Sequence, residues 1–413
     1  MSYAEAKKKY AKIGIDTEKA IEELGKIAIS MHCWQGDDVG GFESVGGASN
    51  GIQTTGNYPG KARTPEELMA DIDFAMSLIP GKHRVNLHAC YGIHKNKVVD
   101  RDSIGIEQFK PWVAWAKERG IGLDFNPTFF SHANVVDGLT LSSPDEKIRK
   151  FWIKHGIQCL KIADYFAKEL DTTCAINFWC PDGFKDEPSD RLGPRVRMAD
   201  SLDKIFKGAK YDKKRVLPTF ESKLFGIGVE SYTVNSHEFV MGYAQSRKIL
   251  ALLDMGHFHL TENVADKISS FLMFFGKVAF HISRPVRWDS DHVIRQNDDL
   301  RAAAQEIVQM GPENFIVALD YFDASICRVA AWVLGMRNMQ KELLKAMLTP
   351  NAALAKLQDE GKFTQQLVLQ EEYKNYPADE VWAEFCKRAK VPADESWLAK
   401  VEKYEENILL KRV

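Results

Sequence analysis

The chain has 413 residues, a formal net charge of -2 and 45% hydrophobic residues, the composition of a folded protein with no electrostatic reason to bind nucleic acid or an anionic membrane. It has no apolar run of the roughly 18 residues that cross a bilayer, and its charged start, Met1 to Lys12, lacks the apolar core of a signal peptide. Seven scattered cysteines without a C-x-x-C pair argue against a disulfide frame or a thiolate zinc site and point to reduced thiols in a cytoplasmic protein.

Residues 3–26 predict one or two amphipathic helices, the second begun by Asp16 as a capping residue. A first strand follows from Ile27, ending at His32-Cys33-Trp34, and then a glycine-rich segment from Gly36 to Gly60. Within it, Gly56-Asn-Tyr-Pro-Gly60-Lys61-Ala62 has the look of a phosphate loop. The spacing is one residue short, no Ser or Thr follows Lys61, and no strand directly precedes it, so the segment reads as a long mobile loop instead. Thr64-Pro65 opens a helix that Pro80-Gly81 stops.

From there the pattern repeats. Strands are predicted at 85–88, 122–126, 174–179, 216–221, 249–254, 278–281 and 315–320, and helices at 106–119, 145–170, 195–209, 235–247, 265–275 and 300–310. Eight strands alternating with helices specify an α/β fold with a parallel sheet, and eight such units suit a (β/α)8 TIM barrel. A doubly wound sheet is the structural alternative. Nearly every strand ends in a polar residue, which favours the barrel, because a barrel gathers its active site from many strand ends at once. The chain then turns helical, so the expected division is a barrel with its N-terminal helices over residues 1–345 and a C-terminal helical extension over 346–413.

The stretch from Leu253 to His292 carries the densest chemistry. It contains Asp254-Met-Gly-His257-Phe-His259 after one apolar run and His281, then Asp289-Ser-Asp291-His292, after the next. With Glu221 and Asp320 these make seven candidate metal ligands: Glu221, Asp254, His257, His281, Asp289, Asp291 and Asp320. Two carboxylates about 5 Å apart repel by about 3 kcal/mol at an effective dielectric of about 20, so a cluster of five requires cations or protons. An oxygen-rich set with a few imidazoles suits Mn²⁺, Mg²⁺ or Co²⁺. Taken singly, each residue is as well explained by a capped loop or a satisfied core group. The Asp-x-x-His and Asp-x-Asp spacings together are what point to a metal site. His259 and His292 read as supporting groups or plain loop residues, and Arg284 and Arg287 as carboxylate holders or surface charges.

Lys223 lies two residues after Glu221, on the same side of an extended chain. It could stabilise an alkoxide or enolate or merely compensate charge. His88 ends the second strand, where a neutral imidazole could act as acid and base or sit as a buried structural group. Trp34 and Trp179 could wall the apolar face of a sugar ring or rim the core.

Several long stretches carry a resemblance: Met31-His-Cys-Trp-Gln-Gly-Asp-Asp-Val, Gly56-Asn-Tyr-Pro-Gly-Lys-Ala-Arg, Glu221-Ser-Lys-Leu-Phe-Gly-Ile-Gly, Asp254-Met-Gly-His-Phe-His, Ser283-Arg-Pro-Val-Arg-Trp-Asp-Ser-Asp-His and Leu319-Asp-Tyr-Phe-Asp-Ala-Ser. The sequence resembles the L-rhamnose isomerase family along its whole length. Leu260 departs from the pattern, standing where proline is expected. The resemblance implies a barrel with a C-terminal helical extension, a homotetramer, and two divalent ions per subunit, Mn²⁺ with Co²⁺, Zn²⁺ or Mg²⁺ as substitutes. It implies that Glu221, Asp254, His281 and Asp320 hold one ion, and that His257, Asp289 and Asp291 hold the other with Glu221 shared. His88 would assist ring opening, Lys223 and Trp179 would contact substrate, and Asp323 is a further catalytic candidate in the Asp-Tyr-Phe-Asp segment. The implied chemistry is aldose–ketose isomerisation of L-rhamnose by a hydride shift from C2 to C1. The alternatives are an enediol route and a related isomerase or epimerase preferring a different sugar.

Overall fold

The computed structural model describes residues 1–43, 54–95 and 97–412. Part of the glycine-rich segment expected to form a mobile loop, residues 44–53, lies outside them.

Eight parallel strands close into a barrel: β1 (Ile29–His32), β2 (His83–His88), β3 (Gly122–Asn126), β4 (Cys174–Phe178), β5 (Val216–Glu221), β6 (Leu250–Asp254), β7 (Val278–Ile282) and β8 (Phe315–Leu319). Each strand pairs with its neighbour in sequence, and β8 returns to β1. The expected (β/α)8 barrel is therefore the fold, and the doubly wound alternative is excluded by closure. The first strand is shorter than predicted. It stops at His32, and Trp34 sits in a 3₁₀ turn over Cys33–Gln35.

The helices between strands are α3 (Pro65–Met76), α4 (Lys110–Arg119), α5 (Glu146–Glu169), α6 (Leu192–Gly208), α7 (His237–Arg247), α8 (Ala265–Phe275) and α9 (Asp298–Gln309), preceded by α1 (Tyr3–Ala11) and α2 (Thr17–Lys26). Local sequence explains their starts. Asp16, Thr64, Asp145 and Asn297 each accept a hydrogen bond from a first-turn amide, and Pro65 occupies the first position of α3. The long α10 (Arg328–Met347) packs between α9 and α3 and completes the outer ring. Its Trp332 indole donates to the His32 carbonyl at 2.8 Å, tying the ring to β1.

Four further helices follow, α11 (Asn351–Asp359), α12 (Phe363–Tyr373), α13 (Ala378–Arg388) and α14 (Trp397–Asn407). α13 packs on α1. Beyond α14, Arg412 forks onto the buried Asp71 of α3 at 2.6 and 2.7 Å. A pair of two-residue antiparallel strands, Gly183–Phe184 and Tyr232–Thr233, joins the loops after β4 and β5. They are too short to leave a periodic signal in the sequence.

The register decides where the chemistry goes. Side chains alternate across a strand. The pairings His88↔Asn126, Phe125↔Ile176, Asn177↔Thr219, Glu221↔Leu252, Asp254↔His281, His281↔Ala318, Ser30↔Ala318 and His32↔Asn86 carry one pleat phase round the whole barrel. In that phase His32, His88, Asn126, Asn177, Glu221, Asp254 and His281 lie at the C-terminal ends of β1 to β7, with Asp320 directly after β8.

Candidate active site

Four of those groups converge. One ligand atom from each of Glu221, Asp254, His281 and Asp320 falls within 4.8 Å of the others. His281 Nδ1 lies 3.3 Å from Glu221 Oε2, 3.1 Å from Asp320 Oδ2 and 3.7 Å from Asp254 Oδ2. On the other side of Glu221, His257 Nδ1 is 3.0 Å from Oε1, and His257 Nε2 is 3.2 Å from Asp289 Oδ2. Despite these short distances, the Nδ1 atoms of His257 and His281, Asp254 Oδ2 and Asp289 Oδ1 are buried without an aligned hydrogen bond. Buried polar atoms are almost always satisfied. Lone-pair donors that face a common centre rather than each other are what a cation site requires, so the residues present fit a hard divalent ion.

The second expected set is looser. Among the described residues, no group including His257, Asp289 and Asp291 gathers as tightly as the first four. Lys223 extends its ammonium onto Asp289, and Asp291 adopts a left-handed backbone (φ 46°) in the loop after β7.

Protonation follows from this crowding. Burial works against charge on both imidazoles. Even so, Asp254 and Asp289 hold His257, and Glu221 and Asp320 hold His281, well above the ordinary histidine range. Burial raises Glu221, but His281 and His257 bring its carboxyl below the usual range. Asp254 goes the other way, to about 8, because burial and the neighbouring Glu221 and Asp320 outweigh the imidazoles. Burial, then Asp289, Asp320 and Asp254, push Asp291 up as well. Without cations the cluster retains protons in their place.

Above this floor is a cavity of about 710 Å³. Trp34, His88, Phe130, Trp179, Lys223 and Asp323 are among its lining residues. Trp34 is not only a wall, since its indole donates to Asp320 Oδ1 at 2.9 Å. Its ring also packs against His88 at 4.7 Å between centroids. Burial lowers His88 to about 3, so its imidazole is neutral, with Nδ1 3.3 Å from the Thr128 hydroxyl. Trp179 stacks parallel to His257 and carries the Lys223 ammonium over its ring at 5.6 Å. Burial works against the Lys223 ammonium, but Asp289 keeps its pKa raised.

The sequence matches the L-rhamnose isomerase (RhaA) family over residues 1–412. The chain belongs to the L-rhamnose isomerase family. Proteins named L-rhamnose isomerase from Listeria monocytogenes serotype 4a and Rhodopirellula baltica are 52% and 50% identical over 99% and 98% of this chain, covering 98% and 95% of their own lengths. A solved structure of L-ribulose 3-epimerase is 15% identical, with a TM-score of 0.50 over 78% of this chain and 96% of that one, and shares the barrel.

For this L-rhamnose isomerase family member, the sequence-predicted residues divide by position. Asp323 lines the cavity, but its Oδ1 accepts from the Ser325 amide and hydroxyl at 2.9 and 2.5 Å, a local turn. His259 is exposed and bonds Thr261 at 2.7 Å. His292 pairs its backbone with Arg284, whose Nε donates to the Val293 carbonyl. Leu260, the departure from the family pattern, is exposed and is not among the cavity-lining residues. Asn177 was missed. Its amide donates to Glu221 Oε2, while its Oδ1 accepts from Thr219 at 3.0 Å, which fixes the amide's orientation. Its place in the pleat phase of the other strand ends was the available signal.

Proposed function

We propose that this protein interconverts L-rhamnose and L-rhamnulose. The observation that carries this reading is the cluster of Glu221, Asp254, His281 and Asp320 at the barrel mouth of a family member. Glu221, Asp254, His281 and Asp320 would hold one divalent ion and His257, Asp289 and Asp291 a second, with Glu221 shared. Mn²⁺ is the proposed metal, with Co²⁺, Zn²⁺ or Mg²⁺ as substitutes. Bound cations would supply Lewis-acid polarisation of the sugar's O1 and O2.

The chain's own groups do the rest. Neutral His88 accepts and returns the hydroxyl proton that moves when the pyranose opens. The Lys223 ammonium faces the cavity, where it stabilises negative charge developing on a substrate oxygen. Trp34, Trp179 and Phe130 exclude water and receive the ring's apolar face. Asp323 offers its remaining carboxylate oxygen at the rim.

The proposed step is a hydride shift from C2 to C1, with a proton lost from O2 and one gained at O1, so that the C2 alcohol becomes the ketone as the C1 aldehyde becomes the alcohol. In deuterated water it leaves the migrating hydrogen in the ketose, whereas extensive deuterium at C1 would establish an enediol route. The deciding assay compares L-rhamnose with other deoxy-aldoses and aldohexoses under Mn²⁺, Co²⁺ and Zn²⁺. A different preferred aldose is the second reading, and the same assay identifies it.

Residues 346–413 are proposed as an extension outside the barrel that supports a homotetramer. Phe363, Leu367 and Val368 of α12 are exposed at 64, 61 and 53%, more apolar surface than one short helix usually leaves to water. Light scattering gives the oligomer's mass. No described helix is long and apolar enough to cross a membrane, and all seven cysteines are free and buried. Both support a cytoplasmic enzyme.

A further inference from the structure

The described part of the loop between β1 and α3 contributes Val39 and Thr55 to the cavity lining. Its path there is unfavourable. Asp38 and Val39 both adopt left-handed backbone, with φ 59° and 58°, a region a β-branched residue rarely enters. On the returning side, Gly56 has φ 125°, and a Cβ there would lie 2.3 Å from the Ala324 carbonyl carbon. The backbone is pressed directly on the loop after β8, and the Tyr58 amide donates to Ala324 O at 2.8 Å.

One side chain reaches both stems of the loop. Arg328, the first residue of α10, is 5% exposed. Its Nε and Nη2 fork onto Asp38 Oδ1 and Oδ2 at 2.7 and 2.8 Å. Its Nη1 donates to the Tyr58 and Pro59 carbonyls at 2.9 and 3.3 Å. Asp38 adds a second tie across the stems, its carbonyl accepting from the Thr54 hydroxyl at 3.2 Å. A planar guanidinium can bind a carboxylate with two donors and still present a third to backbone oxygens. An ammonium is a single point and cannot span the two stems. Arg328 is not among the cavity-lining residues and makes none of the contacts of the metal cluster.

We propose that Arg328 is a positioning residue for sugar binding, a staple that joins the entering and leaving stems of the first loop and holds Val39 and Thr55 as one wall of the cavity. This rests on the proposed function only for the identity of the sugar. The wall stands apart from the groups that would carry the chemistry. Its contacts are therefore made equally in ground state and transition state, and losing them raises KM while leaving kcat alone.

The test uses the full chain with Mn²⁺ and the variants Arg328→Lys and Asp38→Asn. The second changes a half-buried surface carboxylate and keeps the protein folded if the first does not. KM for L-rhamnose is expected to rise about tenfold in both, with kcat within about twofold of the parent, and lysine is expected not to rescue arginine. An unchanged KM in soluble, folded variants, whatever their melting temperature, overturns the proposal, as does full rescue by lysine. If the parent does not isomerise L-rhamnose, the proposed function fails by itself. Calorimetric titration with L-rhamnose and with L-mannose, which shares its stereochemistry from C2 to C5, then carries the test. A dissociation constant raised about tenfold in the variants supports the staple, and equal binding by parent and variants overturns it.

Discussion

Both ends of the barrel bury carboxylates, and they treat them in opposite ways. Near the N-terminal end, Asp124 of β3 accepts from Arg84 Nε and Nη2 at 2.9 and 2.8 Å, from Ser30 Oγ at 2.7 Å and from the Ala175 amide at 2.9 Å. Gly122 leaves room for that guanidinium, since a Cβ there would sit 2.1 Å from Arg84 Nη1. At the mouth, Asp254 and Asp289 each keep a buried oxygen without a hydrogen-bond partner. A satisfied buried pair is a structural device, whose stability is lost when one partner goes. An unsatisfied cluster is a standing cost that folding tolerates only for what binds there. Burial alone therefore does not identify function; at the mouth, several unmet donors and acceptors gathered about one centre do.

Four experiments can break this contrast, taken from the largest effect down. Exhaustive chelation should reduce isomerase activity to background and lower the melting temperature, since cations at the mouth stabilise the folded state by mass action. Activity that survives chelation would remove the metal from the account. Asp254→Asn should lower kcat/KM by about a thousandfold and leave the metal-free melting temperature equal or higher, because burial and the neighbouring Glu221 and Asp320 disfavour its charge. A clear drop in metal-free stability would place Asp254 with the structural carboxylates.

Asp124→Asn should show the opposite pattern. It takes the charged partner from the half-buried Arg84, which keeps its bonds to Thr172 and to the Leu123 and Thr173 carbonyls, and should cost about 2–3 kcal/mol in denaturant unfolding, with kcat and KM per folded molecule unchanged. Altered kinetics would mean that the two ends communicate.

Asp37 falls between the two classes. It is 3% exposed and, among the described residues, receives the Tyr91 hydroxyl at 2.6 Å and the Gly41 amide at 2.7 Å. Burial pushes its carboxyl up to about 7, against about 3.9 when unfolded. Between those values the folded protein keeps a proton that the unfolded chain has released. Its contribution to stability is therefore complete below about pH 4 and is lost as pH rises through about 7. Asp37→Asn fixes the neutral form, so its stability advantage over the parent should grow by about 1.4 kcal/mol per unit between pH 5 and 7 and then level off. A flat difference would show that two hydrogen bonds suffice to hold the carboxylate charged.

What the sequence made legible follows the range of its signals. Strand ends at His88, Glu221, Asp254 and His281 stand out because an apolar run stops at a polar residue, and that local pattern survives folding. The Asp-x-x-His of 254–257 likewise sits within one strand-to-loop turn. The pairing of Lys223 with Asp289, the Trp34 indole on Asp320, and the hold of Arg328 on Asp38 join positions 66, 286 and 290 residues apart. Nothing in a local window reports them. Asn177 was hidden for a different reason: a single asparagine in a strand has no spacing partner, and only the closed register shows which way it points.

That register has a consequence for how such a site can be altered. Because one pleat phase runs round the barrel, each strand spells a single letter of the mouth, and the hydrophobic layer is written in the alternate positions. Substituting Asn126, Asn177 or His32 changes the alphabet of the pocket floor while Phe125, Ile176 and Met31 keep their places. A one-residue deletion within β7 would instead move His281 out of phase and bring an apolar neighbour to the mouth. The reading frame of the sheet is thus itself part of the binding site, open to point edits and closed to shifts.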